Sequence, residues 1–235
     1  MLAAGCGAPK PRLAPTGETL LADARREFRR GRFQKALLAF QRVNFELPLG
    51  HADGPEVAYS LAECYFQTGD RVTAASEFRK VADQHPGSPY APLALLRAGD
   101  SHLRLWRRAE LDPTPGQTAL ALYQELAGRY PESDAAARAQ IHVRRLREWF
   151  ADKAYKNGLF YLRRKAYDSA MLYFKDVVAN FPETPRAADA LVRLVDTYRA
   201  IGYEEELQET CTHLWRFYPQ AQGLGERCPA AAGTN

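Results

Sequence analysis

The stretch RRKAYDSAMLYFKDVVANFP, residues 163–182, decides the fold. Counting back from Pro182, Ala170, Phe174 and Val177 stand 12, 8 and 5 residues earlier. Steps of four and then three place side chains on one face of a helix, so the pattern predicts a helix that ends just before the proline. The spacing recurs before other aromatic- or apolar-proline pairs, with Ala36, Phe40 and Val43 before Pro48 and Ala74, Phe78 and Val81 before Pro86. Ala119, Tyr123 and Leu126 precede Pro131 in the same way. Before Pro219, Leu207, Cys211 and Leu214 keep the apolar pattern but not the residue types. The five prolines lie 38, 45, 51 and 37 residues apart.

A small residue lets a neighbouring helix approach, and the aromatic and aliphatic residues fill the space beyond it. Gly31, Gly69 and Gly202 sit 17 residues before their prolines, where a tight turn between helices needs a permissive backbone. Each unit therefore reads as a helix hairpin that buries its apolar face only by stacking on its neighbours. The array resembles tetratricopeptide (TPR) repeats over about residues 17–222. The expected fold is all-α: a right-handed superhelix of five TPR helix hairpins. The two long intervals are expected to hold a proline-rich loop, WRRAELDPTPG (106–116), and an extra long helical segment between repeats three and four. That segment begins near Asp134 and carries Ile141, Leu146 and Trp149 toward Tyr155 and Leu159 as one helix. The expected divisions are residues 1–16, a lipobox remnant and flexible linker; 17–132, repeats one to three; 133–222, the linking helix and repeats four and five; and 223–235, a C-terminal tail.

The 235 residues carry 32 Lys+Arg against 28 Asp+Glu. The charge is uneven, at +5 for the first fifty residues and −1 for the rest. That balance is too mild to point to nucleic acid, and no apolar run reaches the length of a membrane-spanning helix. Catalytic patterns are also missing. The string Gly99-Asp100-Ser101-His102-Leu103 resembles the nucleophile block of GDSL hydrolases, but it falls inside a repeat helix and no Asp-x-x-His pair follows late in the chain. The histidines have no metal-binding spacing, no CxxC occurs, and no glycine-rich phosphate loop opens a helix. Glu204, Glu205 and Glu206 read as a solvated helix start. No enzyme, metal or cofactor is expected.

The N-terminal Leu2-Ala3-Ala4-Gly5-Cys6 resembles the lipobox of bacterial lipoproteins, with Cys6 as the acylated residue. The charged segment and apolar core that normally precede a lipobox are not in the sequence, which fits a start further upstream or a chain cut just ahead of the box. Cys64 reads as a small buried apolar residue. Cys211 and Cys228 either pair, pinning the tail onto the last repeat helix, or stand as two thiols.

A repeat array of this kind offers a concave groove lined by the first helix of each hairpin. Carried over by register, the groove positions are Arg25, Phe28 and Arg29, then Tyr59, Glu63, Phe66 and Gln67, then Leu95 and His102. Rings flanked by guanidinium groups suit a peptide with an aromatic side chain and a free carboxylate. The competing reading is that the rings pack between repeats and the arginines are solvated. Leu21 and Arg25 stand where chaperone-tail modules carry the Lys and Asn of a carboxylate clamp, which weakens that particular likeness.

Taken together, these features resemble the BamD family of outer-membrane β-barrel assembly lipoproteins. The resemblance rests on LAAGC and its short linker, the five hairpins, the Asp112-Pro113 loop and QHPGSPYAPLAL. It also rests on the extra helix before ADKAYKNGLFYLRRKAYDSAMLYF and on NFPETPRAADAL. It implies a non-catalytic scaffold held by a lipid anchor at the periplasmic face of the outer membrane. It further implies partners: the POTRA region of the insertase BamA at the C-terminal repeats, other Bam lipoproteins, and the C-terminal peptide of unfolded barrel proteins at the N-terminal repeats. An arginine expected in the second helix of repeat four is replaced by Tyr173 or a neighbour, leaving Arg163, Arg164 and Arg199 as charged alternatives for the insertase contact. The rivals are a periplasmic TPR adaptor of the Tol-Pal-associated kind and a lipoprotein of DNA uptake or pilus assembly. Members of the Tol-Pal-associated kind carry an N-terminal coiled coil, and residues 1–16 are too short and proline-containing to form one.

Overall fold

The computed structural model describes residues 17–48, 50–106 and 112–229. Cys6 and the rest of the expected lipobox lie outside the described residues. Among these there are eleven helices and no strand. They form two compact units that divide between Leu105 and Trp106.

The first unit holds α1 (Gly17–Arg29), α2 (Phe33–Glu46), α3 (Gly54–Thr68), α4 (Arg71–Gln84) and α5 (Tyr90–Leu105). Consecutive helices pack on each other, and α5 also touches α3. The second unit holds α6 (Thr114–Arg129), the 30-residue α7 (Asp134–Arg163), α8 (Tyr167–Asn180), α9 (Pro185–Ile201), α10 (Glu204–Phe217) and the short α11 (Leu224–Arg227). Here α7 packs on α6, α8 and α9, while α9 packs on α10 and α11. The extra segment after Asp134 does run as one helix into the fourth hairpin. The unit boundary differs from the expected 132/133 division. The two helices of the expected third hairpin fall in different units, because α5 buries Ala91, Ala94, Leu95 and Ala98 with α3 and α4, and α6 buries its face on α7.

All fifteen residues of the small–aromatic–aliphatic pattern are buried, from Ala36 to Leu214. Each patterned helix stops for one physical reason. Leu47, His85, Tyr130, Phe181 and Tyr218 each donate a last backbone N–H to the carbonyl four residues back and then leave the helical region. The proline that follows clashes with a helical conformation at the residue before it. At the opposite end of the turn, Gly69 and Gly202 take left-handed φ of 98° and 75°. Lys165 occupies the equivalent place in the fourth hairpin, 17 residues before Pro182, and holds φ 58° without the glycine.

Side-chain caps fix two helix starts. Asp70 accepts from the Thr73 N–H and Ser133 from the Ala136 N–H. In the second unit, close approach depends on missing side chains. Gly158 of α7 lies against the Phe174 ring of α8, and Gly116 of α6 against Trp106, which also stacks on Phe150 at 5.0 Å. Leu224 and Cys228 are buried with α9 and α10, so both belong to the core of this unit. A Cys211–Cys228 disulfide closes this end, with Cα atoms 5.4 Å apart. Cys64 is a buried free thiol, and burial pushes its pKa up to about 12.

Candidate functional site

In the first unit the expected groove residues lie on α1, α3 and α5, and much of their polar capacity is used internally. Arg25 reaches from α1 to the start of α3. Its Nε donates to Glu56 Oε1 at 2.7 Å, and its Nη2 donates to Glu56 Oε2 at 2.6 Å and Asp53 Oδ1 at 2.9 Å. The hydrogen bonds it donates to Glu56 hold this guanidinium above its ordinary pKa. Two carboxylates therefore already occupy the arginine expected to take a client's carboxylate. Nearby, Tyr59 packs between Phe78 and Tyr90, and burial raises the Tyr90 hydroxyl.

Glu63, on the next turns of α3, accepts a paired set of bonds from Arg97 of α5 and one from the Gln67 amide at 2.6 Å. The Phe66 ring lies beneath three guanidinium groups. Those of Arg97, Arg71 and Arg104 stand 3.8, 4.1 and 5.1 Å from its centroid. His102 is half-buried, and loss of solvent lowers its pKa.

Three expected groove residues put much or all of their side chains into packing. Leu95 is fully buried, Phe66 is 2% exposed, and the partly buried Phe28 makes edge contacts with Phe33 and Phe40 of α2. Arg29 and Gln67 remain exposed. The polar stripe of α5 is carried by Arg97, Asp100 and Arg104, which sequence reasoning passed over. Their spacing of three and four on one helix face was the available signal. Ser101, the serine of the hydrolase-like string, is fully buried and donates its hydroxyl to the Arg97 carbonyl, an intrahelical bond.

In the second unit, Tyr173 of α8 stacks on Tyr161 of α7 at 5.5 Å and 9°. It lines a hollow of about 530 Å³ together with Leu120, Phe150, Lys153, Asn157 and Phe181. Arg163 and Arg164 are exposed at the end of α7, and the Arg164 guanidinium lies 4.1 Å over the half-exposed Phe160 ring. Phe160 in turn meets Tyr161 edge-on. Tyr173 and the arginine-capped Phe160 are thus linked through Tyr161, a connection not anticipated from sequence. Arg199 is elsewhere, donating to the Arg227 carbonyl beside the disulfide. Among the described residues, no group of three or more acidic, Cys or His side chains is placed to hold a metal ion, and no helix is long and apolar enough to cross a membrane.

Residues 15–214 match the family model YfiO, described as an outer membrane lipoprotein. The chain is 23% identical to the outer membrane protein assembly factor BamD of Vibrio cholerae, covering 81% of this chain and 83% of that one. It is 24% identical to the BamD of Caulobacter vibrioides, covering 92% and 72%. Against the BamD of Neisseria meningitidis serogroup A the identity is 24%, covering 88% and 81%. Among solved structures, the TPR2AB domain of yeast Sti1 in its pHSP90 complex is similar at 14% identity and a TM-score of 0.45, covering 86% of this chain and 78% of that one.

Proposed function

The chain belongs to the YfiO family of outer membrane lipoproteins, and on that premise we propose that it is a non-catalytic scaffold subunit of the outer-membrane β-barrel assembly machinery. The observation that carries this reading is the family match, which runs through both compact units and is joined by relatives named as assembly factors. Acylation at Cys6 would hold the protein at the periplasmic face of the outer membrane, where local concentration substitutes for high affinity.

In this reading the helices after Asp134 bind the POTRA region of the insertase BamA, beside the other lipoproteins of the complex. Support comes from the exposed Arg163 and Arg164 and from the Phe160–Tyr161–Tyr173 aromatic run, since arginine and aromatic side chains dominate interface energetics. The first unit receives the C-terminal signal of unfolded barrel proteins, which ends in an aromatic residue.

The test is binding of the full chain to the isolated POTRA region of the same organism's insertase. Saturable binding is expected, weakened at least about tenfold by Arg163→Glu with Arg164→Glu. A folded chain that does not bind would favour an adaptor serving other envelope machinery.

A further inference from the structure

The guanidinium groups around Phe66 are unevenly answered. Arg97 is held by Glu63 and by Asp100, whose Oδ2 lies 3.1 Å from its Nη1. Arg71 and Arg104 have no ion pair among the described residues. The Nη1 of Arg71 is buried and makes no hydrogen bond. The acid next to it in sequence, Asp70, already caps α4 by accepting from the Thr73 N–H at 3.1 Å. Burial, together with the charges of Arg104 and Arg97, holds Arg71 below its ordinary pKa. A buried donor is normally paired, and a cation beside two others normally has a counter-charge.

We propose that Arg71 and Arg104 form, at the Phe66 ring, a binding site for one carboxylate. Resting on the client reading above, its occupant is the C-terminal carboxylate of an unfolded barrel protein. Three guanidiniums against two carboxylates leave one surplus positive charge, which a carboxylate matches and a phosphate, at nearly two negative charges, exceeds. A carboxylate has two oxygens, so it can accept from both arginines at once. Arg71 is the inner, half-buried member. Arg104 is exposed on the last turn of α5 and is the arm that closes on the ligand. Arg25 does not compete for this role, since Glu56 and Asp53 already take its donors. The preceding residues of the peptide would run along α3 and α5 past Gln67 and His102.

The test uses the full chain and a fluorescent ten-residue peptide ending in phenylalanine, prepared with a free carboxylate and as the C-terminal amide. The free acid is expected to bind about tenfold more tightly than the amide. Arg104→Gln, a change at an exposed position, should remove that preference, as should Arg71→Gln, while Arg71→Lys should keep part of it. A folding defect would weaken both peptides together and leave their ratio intact. Equal binding of acid and amide to the unaltered chain would overturn this site while leaving the client reading standing. Failure of both peptides to bind would overturn the site and the client reading together.

Discussion

Glu63 and Arg97 lie 34 residues apart and are joined by a paired hydrogen bond, one repeat length between adjacent first helices. The second unit repeats the link at the same separation, where Arg186 donates to Asp152 Oδ1 from Nε at 2.9 Å and from Nη2 at 2.7 Å. Each arginine then turns to an acid three residues further along its own helix, Asp100 or Asp189. The repeat therefore sets more than the packing of apolar faces. It also returns an acid and a base to the same relative place, so an ion pair can fix the register between neighbouring hairpins.

The two links differ in burial, and that predicts different costs. The Arg97 and Glu63 side chains are 18% and 11% exposed, against 38% and 27% for Arg186 and Asp152. Glu63→Ala leaves Arg97 with Asp100 alone beside Arg71 and Arg104, in a largely buried setting, and is expected to cost about 2–3 kcal/mol. Asp152→Ala leaves Arg186 with Asp189 and water, and should cost less than about 1 kcal/mol. Urea midpoints of the two variants decide the matter, and equal losses would show that the first pair behaves as a surface pair.

Lys165 is the one non-glycine residue with positive φ among those described, and it stands where other hairpins carry glycine. A side chain in the left-handed region is strained by about 1–2 kcal/mol, part of which a glycine gives back through its greater freedom in the unfolded chain. Lys165→Gly should therefore raise stability by up to about 1 kcal/mol. Gly202→Ala, at φ 75°, should lower it by about the same amount. Opposite shifts in thermal midpoint are the expected result, and a loss from both would assign Lys165 a contact that outweighs its strain.

These cases show what was legible in the sequence. The hairpins were, because the small–aromatic–aliphatic spacing and the closing prolines act within one helix and its immediate partner. The contacts made by the expected groove residues were less so. Arg25 was found by register, but its partners Asp53 and Glu56 come from the next hairpin, 28 and 31 residues away, and nothing local announces them. On α5 one of the two chosen residues, Leu95, is two positions from Arg97, a rotation of about 200° on a helix. The face was thereby turned inward, and the arginine cluster at Phe66 was missed. That cluster gathers residues from α3, α4 and α5, so it exists only once the hairpins are stacked.

Gly158 predicts a steric effect that helix propensity alone would get wrong. A Cβ there would lie 2.5 Å from the Phe174 ring, whereas one at Gly128 of α6 meets nothing within 4 Å. Alanine favours a helix by up to about 1 kcal/mol at either place. Gly128→Ala should be neutral to stabilising. Gly158→Ala forces α7 from α8 and should cost a net ~1–2 kcal/mol. Phe174→Leu combined with Gly158→Ala should then lose less than the sum of the two single changes. Strict additivity would mean that the ring moves aside freely.

The disulfide predicts a local effect with its own optical reporter. Cys211 and Cys228 are 17 residues apart, and closing a loop of that size contributes about 3 kcal/mol through the unfolded chain. Non-covalent contacts hold the same segment: Arg227 Nε donates to Asp196 at 2.8 Å, and the Trp215 indole N–H donates to the Cys228 carbonyl at 2.9 Å. Leu224 lies buried against α9. Reduction should therefore lower the urea midpoint without unfolding the helices, and should loosen the hydrogen bond of the part-exposed Trp215 indole to Cys228, which tryptophan emission reports. Arg227→Ala in the reduced protein should add to the loss, since it removes the ion pair with Asp196 of α9. An unchanged midpoint on reduction would mean that Leu224, Arg227 and Trp215 hold the segment without the bond, and that the covalent link adds nothing to the folded chain.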